Sequence, residues 1–322
     1  MTHDARNTRR TLLVSVRDSL SVMAIDLATG DTVGVAKMGE DREQKPHEFA
    51  LSPDGRFAFA SIYGNGPYGA NTRPGKELAV VDLGAMTRVG TVDLDLYRAP
   101  HGVAADGDGM IWATAERNHC AVVVDPATRA IVRSVWMQVP VHFVTAAPGG
   151  RTMWFAHKEY PFVTCVDVAT KSVTGRVGLP IGAQAIKASP DGRFLYVGDF
   201  NRPLLHVVDI AAMAVTRTVP LVAVPGWPYA TPDGRFVVVT TWNEPAEKGW
   251  VEIFDTATFA SVGAIDVGAE PFHATVSDDG DHIYVALADG RIPLIDLARA
   301  RIAEDRLRAN GTGAEQVMIV DL

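Results

Sequence analysis

The sequence predicts an all-β protein built as a ring of repeated four-stranded modules, and three observations support this. Two apolar residues followed by aspartate recur seven times along the 322 residues. A turn marker, in most cases Asp-Gly, recurs between these segments. The spacings between successive aspartates of the first marker are 56, 43, 42, 42, 46 and 41 residues. Four short strands at this period are typical of the blades of a seven-bladed β-propeller.

The first marker closes the third strand of each predicted blade, where an aspartate side chain caps a tight turn. Its members are Asp26, Asp82, Asp125, Asp167, Asp209, Asp255 and Asp296. The second marker joins the first and second strands as a hairpin turn. Its members are Asp54-Gly, Asp108-Gly, Gly149-Gly, Asp191-Gly, Asp233-Gly and Asp279-Gly. We interpret both sets as scaffold and expect no chemistry from them.

The segment 225–267 shows the order of strands within one blade. An apolar strand leads into the turn at 232–234, and the run 235–241 forms the second strand. After a loop, 250–254 is the third strand, and 262–266 the fourth. Each run is rich in β-branched and aromatic residues and is bounded by turn residues, as antiparallel strands require.

The two ends of the chain predict how the ring closes. The sequence begins directly in a second strand at 11–16, with no first strand before it. The missing strand is found at 316–320, so we expect the C-terminal strand to complete the first blade. Such closure removes the exposed sheet edges of an open ring. Residues 1–10 then form a flexible N-terminus, and residues 11–322 a single propeller domain.

Composition excludes several classes of function. The formal net charge is −8 and no basic run is present, which argues against nucleic-acid binding. No apolar run is long enough to span a bilayer, and the polar N-terminus does not have the pattern of a secretory signal. Two cysteines suit a reducing compartment. We expect a cytoplasmic protein without a membrane partner, and no nucleotide cofactor because a phosphate-loop pattern is lacking.

The segment Ser189-Pro-Asp-Gly-Arg-Phe, followed by Leu-Tyr-Val-Gly-Asp-Phe-Asn201, resembles the YVTN-type seven-bladed propellers. The resemblance extends from about residue 11 to residue 322. The Trp-Asp and Gly-His signatures of WD40 repeats are absent from the matching positions. Because YVTN proteins are functionally mixed, the resemblance implies the fold and leaves the activity open.

Histidines recur at one position of the repeat, seven residues before the second marker. This position holds His47, His101, His142, Gln184, Gly226 and Phe272. The residue after it is Glu48 in one blade and His273 in another, and the closing strand adds Glu315 or Gln316. The loops that lead into the first strands of a propeller meet around its axis. We therefore expect a histidine-rich site at the axial mouth.

The preferred hypothesis is a small-molecule enzyme that depends on a divalent transition metal, Zn, Cu or Fe. Imidazoles that converge from different blades are ligands for these ions. The predicted metal ligands are His47, His101, His142 and His273. An open coordination position would support lyase, hydrolase or oxygenase chemistry. The predicted catalytic residues are His142, His157, Glu48 and Arg117.

A metal-free alternative rests on Val141-His142-Phe-Val144, which resembles the first strands of 6-phosphogluconolactonase and carboxymuconate-lactonizing propellers. The resemblance implies a lactonase-like or isomerase-like enzyme that handles an acidic substrate with His142 as acid or base. Arg117 or Arg202 would bind a carboxylate, and Glu159 or Glu244 would act as acid or orienting group.

Aromatic residues in the loops of the same face predict walls for a small-molecule substrate. The predicted substrate-binding residues are Tyr63, Tyr160, Arg202, Trp227 and Trp242. A third hypothesis is a non-catalytic scaffold that binds a protein or peptide partner across one face of the ring. The three hypotheses differ in whether the axial histidines are needed for function.

Overall fold

The computed structural model describes residues 9–322, and in that range it is a ring of seven antiparallel sheets with four strands each. The predicted seven-bladed β-propeller is confirmed. Of the predicted flexible N-terminus, residues 1–8 lie outside the described residues, whereas Arg10 already belongs to the first strand. Among the described residues, no helix is both long and apolar enough to cross a membrane.

The strands are numbered in chain order. The first fourteen are β1 (Arg10–Val16), β2 (Ser21–Asp26), β3 (Thr32–Lys37), β4 (Lys45–Leu51), β5 (Phe57–Gly64), β6 (Pro74–Asp82), β7 (Thr87–Asp93), β8 (Pro100–Ala105), β9 (Ile111–Ala115), β10 (Cys120–Asp125), β11 (Ala130–Trp136), β12 (Phe143–Ala146), β13 (Thr152–Ala156) and β14 (Phe162–Asp167). The rest are β15 (Ser172–Gly178), β16 (Ala183–Ala188), β17 (Phe194–Asp199), β18 (Leu204–Asp209), β19 (Ala214–Pro220), β20 (Val224–Ala230), β21 (Phe236–Asn243), β22 (Lys248–Asp255), β23 (Ser261–Asp266), β24 (Pro271–Val276), β25 (His282–Leu287), β26 (Arg291–Asp296), β27 (Arg301–Arg308) and β28 (Ala314–Asp321). Two 3₁₀ turns are at Glu116–Asn118 and Glu244–Ala246.

The C-terminal strand closes the ring as predicted. Blade 1 has the strand order β28-β1-β2-β3, and β28 runs antiparallel to β1 with Met318 opposite Leu13. Blades 2 to 7 each use four consecutive strands, beginning at β4, β8, β12, β16, β20 and β24. The first strand of each blade is innermost, so these seven strands line the axis.

The recurring aspartates hold turns, as their repeat position predicts. The Asp54 carboxylate accepts hydrogen bonds from the Ser52 hydroxyl at 2.6 Å and from the Arg56 backbone N–H at 3.1 Å. These bonds lower the pKa of Asp54. Asp26, at the end of β2, accepts the Ala28 N–H at 2.8 Å. A carboxylate that accepts local N–H groups stabilises the turn that carries it.

The apolar core lies in the seams between neighbouring blades. Trp112 of blade 3 and Phe155 of blade 4 are both buried, with ring centroids 6.0 Å apart. Burial of a side chain of this size stabilises the fold by about 1.5–3 kcal/mol. Because the seven sheets pack face to face around a ring, a channel remains at its axis.

Candidate functional site

Bulges at the start of the inner strands shape the site. The register of β4 shifts between Pro46 and Phe49, and that of β8 between Pro100 and Val103. The inner strands β20 and β24 shift in the same way after Pro225 and Pro271. A bulge places two residues opposite one and redirects their side chains. Two consecutive residues, such as His47 and Glu48, can therefore both reach the axis.

Hydroxyl groups from the second strands hold these bulges. Ser61 Oγ contacts the Glu48 backbone N–H and carbonyl, each at 3.1 Å, and donates to the His101 carbonyl of the next blade at 2.9 Å. Ser15 donates to the His47 carbonyl at 2.6 Å, and Thr114 to the His142 carbonyl at 3.1 Å. Each hydroxyl thus ties one histidine backbone to the preceding blade.

Two chambers occupy the axial channel. The upper chamber is the one on the face that carries the loops between second and third strands. It has a volume of about 970 Å³, and its lining includes His47, His101, His142 and Glu315. The lower chamber has a volume of about 600 Å³. Among the described residues, Glu48 and His273 line only the lower chamber. The histidine and glutamate layer therefore lies between the two chambers.

Glu48 is the centre of the histidine cluster. Its Oε1 lies 3.5 Å from His101 Nδ1, 3.5 Å from His273 Nε2 and 3.8 Å from His47 Nδ1. These four atoms are buried and have no hydrogen-bond partner among the described residues. Unpaired buried polar atoms are costly, at about 1–3 kcal/mol each. Three unpaired imidazole nitrogens around one unpaired carboxylate oxygen are suited to holding a ligand.

His142 is held in a separate chain of contacts. Its Nδ1 lies 3.0 Å from Glu116 Oε1, and the Tyr63 hydroxyl donates to Glu116 Oε2 at 2.6 Å. All three residues are buried. The His142 ring is stacked obliquely on that of His101, with centroids 3.9 Å apart. This places His142 beside the Glu48 cluster, with its Nδ1 directed to a different carboxylate.

Lys158 brings a positive charge to the upper chamber. Its Nζ lies 4.4 Å from the centre of the Tyr68 ring and 5.7 Å from that of Phe200. The Tyr68 ring also contacts His142, at 5.3 Å between centroids. A side chain at Gly182 would overlap the Lys158 carbonyl, so glycine there lets the backbone approach closely. Lys158 and His142 thus face the same space around one tyrosine ring.

Burial sets the protonation of these groups. It holds the pKa values of His101 and His142 well below the usual range and that of His273 at about 3. It raises the pKa of Glu48 to about 8 and lowers that of Lys158 to about 8. The same cause operates throughout, since a low-dielectric surrounding disfavours charged forms. At neutral pH the imidazoles are neutral and Lys158 is mostly charged.

Arg17 and Glu315 complete the wall of the upper chamber. Arg17 Nη1 lies 2.6 Å from Glu315 Oε1, and its guanidinium stacks over Phe272 at 5.0 Å. His47 Nε2 is 3.6 Å from Glu315 Oε2. The predicted choice between Glu315 and Gln316 is thereby decided, because Glu315 faces the histidines whereas Gln316 bonds the Phe49 backbone in the lower chamber.

Three predicted substrate-binding residues, Tyr63, Trp227 and Trp242, line the upper chamber. Trp227 also lies against His273, with ring centroids 4.7 Å apart. Of the predicted metal ligands, His47, His101 and His273 surround Glu48, whereas His142 Nδ1 is directed to Glu116. Glu48, which was predicted as a catalytic residue, is thus the group that three of the four predicted metal ligands surround.

Other predicted residues lie outside the lining of both chambers in the described chain. Both ring nitrogens of the buried His157 are occupied, by the Pro140 carbonyl at 2.7 Å and the Thr164 hydroxyl at 2.8 Å. Arg117 donates to the Asn71 carbonyl at 2.7 Å and Arg202 pairs with Asp199 at 2.6 Å. Tyr160 contacts Phe162. The polar contacts of His157, Arg117 and Arg202 are thus made with residues that line neither chamber.

Sequence reasoning overlooked Glu116 and Lys158. Both are in loops between second and third strands, which the repeat already assigned to this face. Lys158 follows the predicted His157, and Glu116 precedes the predicted Arg117. No local spacing marks either residue, because each acts on a partner from another blade.

Comparisons with solved structures support the fold. The chain is similar to a Pseudomonas aeruginosa periplasmic gluconolactonase, with TM-score 0.75 and 18% identity, covering 97% of this chain and 99% of the other. It is similar to a Bacteroides uniformis protein described as a candidate 6-phosphogluconolactonase, with TM-score 0.77, 15% identity and coverages of 97% and 99%. For a Kuenenia stuttgartiensis hydrazine synthase the TM-score is 0.71, with 16% identity and coverages of 86% and 95%.

At these identities the likeness establishes the fold alone. No protein-family model matches the chain. No curated protein matches it either. The YVTN resemblance and the cytoplasmic location therefore stay predictions, whereas a propeller with lactonase-type structural neighbours is established.

Proposed function

We propose that this protein is a lactonase-type hydrolase that opens the ring of a small lactone in the upper chamber, with His142 as the acid and base. The observation that carries the proposal is the 3.0 Å contact between His142 Nδ1 and Glu116 Oε1. A carboxylate at Nδ1 fixes the tautomer and leaves Nε2 as the proton acceptor. The lactonase-type structural neighbours add support from the fold.

The first step would activate water. The neutral His142 Nε2 takes a proton from a water molecule, whose oxygen attacks the lactone carbonyl carbon. Glu116 stabilises the imidazolium that forms, and the Tyr63 hydroxyl holds Glu116 in place. The low pKa of His142 keeps its imidazole neutral at the start of the cycle, as a general base requires.

The second step would break the ring C–O bond. Negative charge gathers on the former carbonyl oxygen during attack, and the Lys158 ammonium stabilises it. When the tetrahedral intermediate collapses, the C–O bond to the ring oxygen breaks. That oxygen receives the proton from His142, so the histidine returns to its neutral form and the product is a hydroxy acid.

The chamber walls favour a compact polar substrate with apolar faces. Trp227 packs against Phe272 with ring centroids 5.6 Å apart, Tyr68 lies 6.3 Å from Phe200, and Trp242 also lines the chamber. Sugar lactones combine hydroxyl groups with apolar ring faces and fit such walls. The chamber volume of about 970 Å³ lies at the upper end of the range for small-molecule sites.

The test uses a panel of five- and six-membered sugar lactones and protein treated with a chelator. Hydrolysis is measured as the release of acid at constant pH. Turnover that survives chelation and is lost in His142→Gln supports the proposal. His282→Gln is a matched control, because His282 begins β25, lines neither chamber and pairs with Asp279 of the preceding turn. If His142→Gln retains full turnover, His142 is not the base.

A second candidate is metal-dependent chemistry at Glu48, which the unpaired imidazole nitrogens around Glu48 Oε1 favour. Ligand atoms 2.0–2.1 Å from a tetrahedral zinc ion lie roughly 3.3–3.5 Å apart. Glu48 Oε1 lies 3.5 Å from His101 Nδ1 and 3.8 Å from His47 Nδ1, close to this requirement. His47, Glu48 and His101 offer ligand atoms within 4.8 Å of one another and would hold the ion, which would supply Lewis acidity or activate water. His273 is not part of this mutually close group.

Metal content after equilibration with Zn²⁺ separates the two candidates. One ion per chain in the wild type, lost in Glu48→Gln and His101→Ala, supports the metal centre. His142→Gln and His282→Ala are controls that should retain the ion. Folded wild-type protein that binds no ion would remove this candidate, and the His142 proposal would not depend on that result.

A further inference from the structure

The lower chamber contains an isolated positive charge. Three residues after the histidine position, each inner strand directs one side chain to the channel. These seven residues are Ala50, Ala104, Thr145, Lys187, Tyr229, Thr275 and Met318, and all of them line the lower chamber. Lys187 is the one charged member of this layer. Its side chain is reached by solvent, although the channel wall surrounds it.

Nothing among the described residues neutralises Lys187. Burial by the surrounding wall lowers its pKa, and no neighbouring charge contributes to that shift. Lys187 in turn helps to lower the pKa of His273, which forms part of the chamber roof. An ammonium group that has lost part of its hydration without gaining a counter-ion is a favourable partner for an anion.

The surroundings of Lys187 define the kind of anion. Thr145, from the adjacent blade, brings a hydroxyl whose one hydrogen bond, to the Ala146 carbonyl, is long at 3.5 Å. Much of the wall is apolar and includes Ala50, Phe143 and Met318. A single cation suits a single negative charge, and the apolar wall suits a hydrocarbon part.

We propose that the lower chamber binds a small organic monocarboxylate, with its carboxylate at the Lys187 ammonium and its hydrocarbon part against the apolar wall. A dianion such as phosphate lacks a second cation there. The chamber volume of about 600 Å³ is ample for a six-carbon acid. This site is separate from the proposed lactone site, because the layer of Glu48 and His273 lies between them.

Calorimetric titration of the wild-type protein with hexanoate tests the proposal. Saturable binding of one hexanoate per chain is expected. Lys187→Met should weaken it roughly tenfold or more, as expected for loss of a hydrogen-bonded charge. Lys187→Arg should retain binding. Inorganic phosphate should bind more weakly than hexanoate.

Lys158→Met is the control that separates the two chambers, since its charge lies in the upper one. Binding that is lost in Lys158→Met and retained in Lys187→Met would overturn the proposal and place the acid in the upper chamber. Absence of saturable binding, or tighter binding of phosphate, would also overturn it. Thermal unfolding of each variant shows whether its fold is retained.

Discussion

The two layers of the channel differ although they are only three residues apart in every blade. The upper layer contains His47, His101 and His142 at one repeat position, whereas the lower layer contains mainly small or neutral side chains. Bulges allow two consecutive residues per blade to reach the axis in the upper layer. The lower layer follows ordinary strand alternation and presents one residue per blade. The larger number of polar side chains at the axis in the upper layer is therefore a consequence of the bulges in the inner strands.

The electrostatics differ for the same reason. Crowded imidazoles in the upper layer are neutral because burial and mutual repulsion lower their pKa values. The lower layer has one charge and ample space around it. Catalytic chemistry is expected where groups crowd together, and simple ion pairing where one charge is alone. The following predictions test this difference, in order of decreasing effect on lactone hydrolysis.

His142→Gln should have the largest effect. Loss of a positioned acid and base lowers kcat/KM by about 10²- to 10⁴-fold, whereas KM should change little. Steady-state kinetics on the best lactone of the panel measures this. A fall in kcat/KM that came only from a rise in KM would instead assign His142 to substrate binding.

Lys158→Met should lower kcat by about 10²-fold, because it removes the charge that stabilises the developing oxyanion. The same change should raise the melting temperature by a few degrees, since it removes the cost of burying a charge. Kinetics and thermal unfolding measure the two effects. Lower activity combined with lower stability would indicate that Lys158 is structural.

The pH profile follows from Lys158. Its pKa of about 8 lies below the ordinary value because of burial. Below pH 8 the ammonium is charged and supports catalysis, and above pH 8 it loses its proton. The rate should therefore fall above about pH 8 with a one-proton slope. Lys158→Met should abolish this alkaline limb, and an unchanged limb would assign the ionisation to another group.

Glu116→Gln should lower kcat on the order of tenfold, in keeping with the loss of one charge-assisted hydrogen bond. The amide keeps the size of the side chain but no longer stabilises the imidazolium. Comparing the kcat of the double variant His142→Gln/Glu116→Gln with that of each single variant shows whether the two residues act together. Full additivity of the two losses would contradict a role through His142.

Ser61→Ala should chiefly affect stability. Its hydroxyl joins the Glu48 bulge to the His101 carbonyl, and the buried backbone groups would lose their partner at about 1–3 kcal/mol. Urea unfolding measures this loss. Ser172→Ala, on the exposed outer strand β15, is the control. Equal stability of both variants would show that the hydroxyl does not hold the bulge.

Lys187→Met should have the smallest effect on hydrolysis, less than about twofold, because Lys187 lines only the lower chamber and has no contact with His142, Glu116 or Lys158 among the described residues. Its effect is expected on hexanoate binding alone. A large loss of hydrolysis in this variant would mean that the two chambers are coupled.

The fold was predictable because its signals are local and repeated. The aspartate turns, the strand runs and the missing first strand each depend on a few neighbouring residues. Repetition at one period then makes chance agreement improbable. The approach of His47 and His101 was also predictable, since equivalent positions in a ring meet at its axis, and His273 follows that position by one residue.

The details of the site were beyond sequence reasoning. The pairing of His142 with Glu116, rather than with the other histidines, depends on a loop from the preceding blade. His157 is a second example, because the Pro140 carbonyl and the Thr164 hydroxyl occupy its nitrogens although no repeat pattern marks either residue as its partner. Side-chain direction in a loop depends on which partners the fold brings within reach, and the sequence pattern does not identify them.

The sequence alone determined the number of blades, the closing strand and the repeat position that faces the axis, because these follow from periodic local patterns. Only the tertiary structure decided that Glu48 lies among three imidazoles, that Lys158 and His142 share a chamber, and that Lys187 is alone in another. Bulges and burial control these features. Both arise when strands that are far apart in the sequence pack together, and neither can be predicted from the sequence of a single repeat.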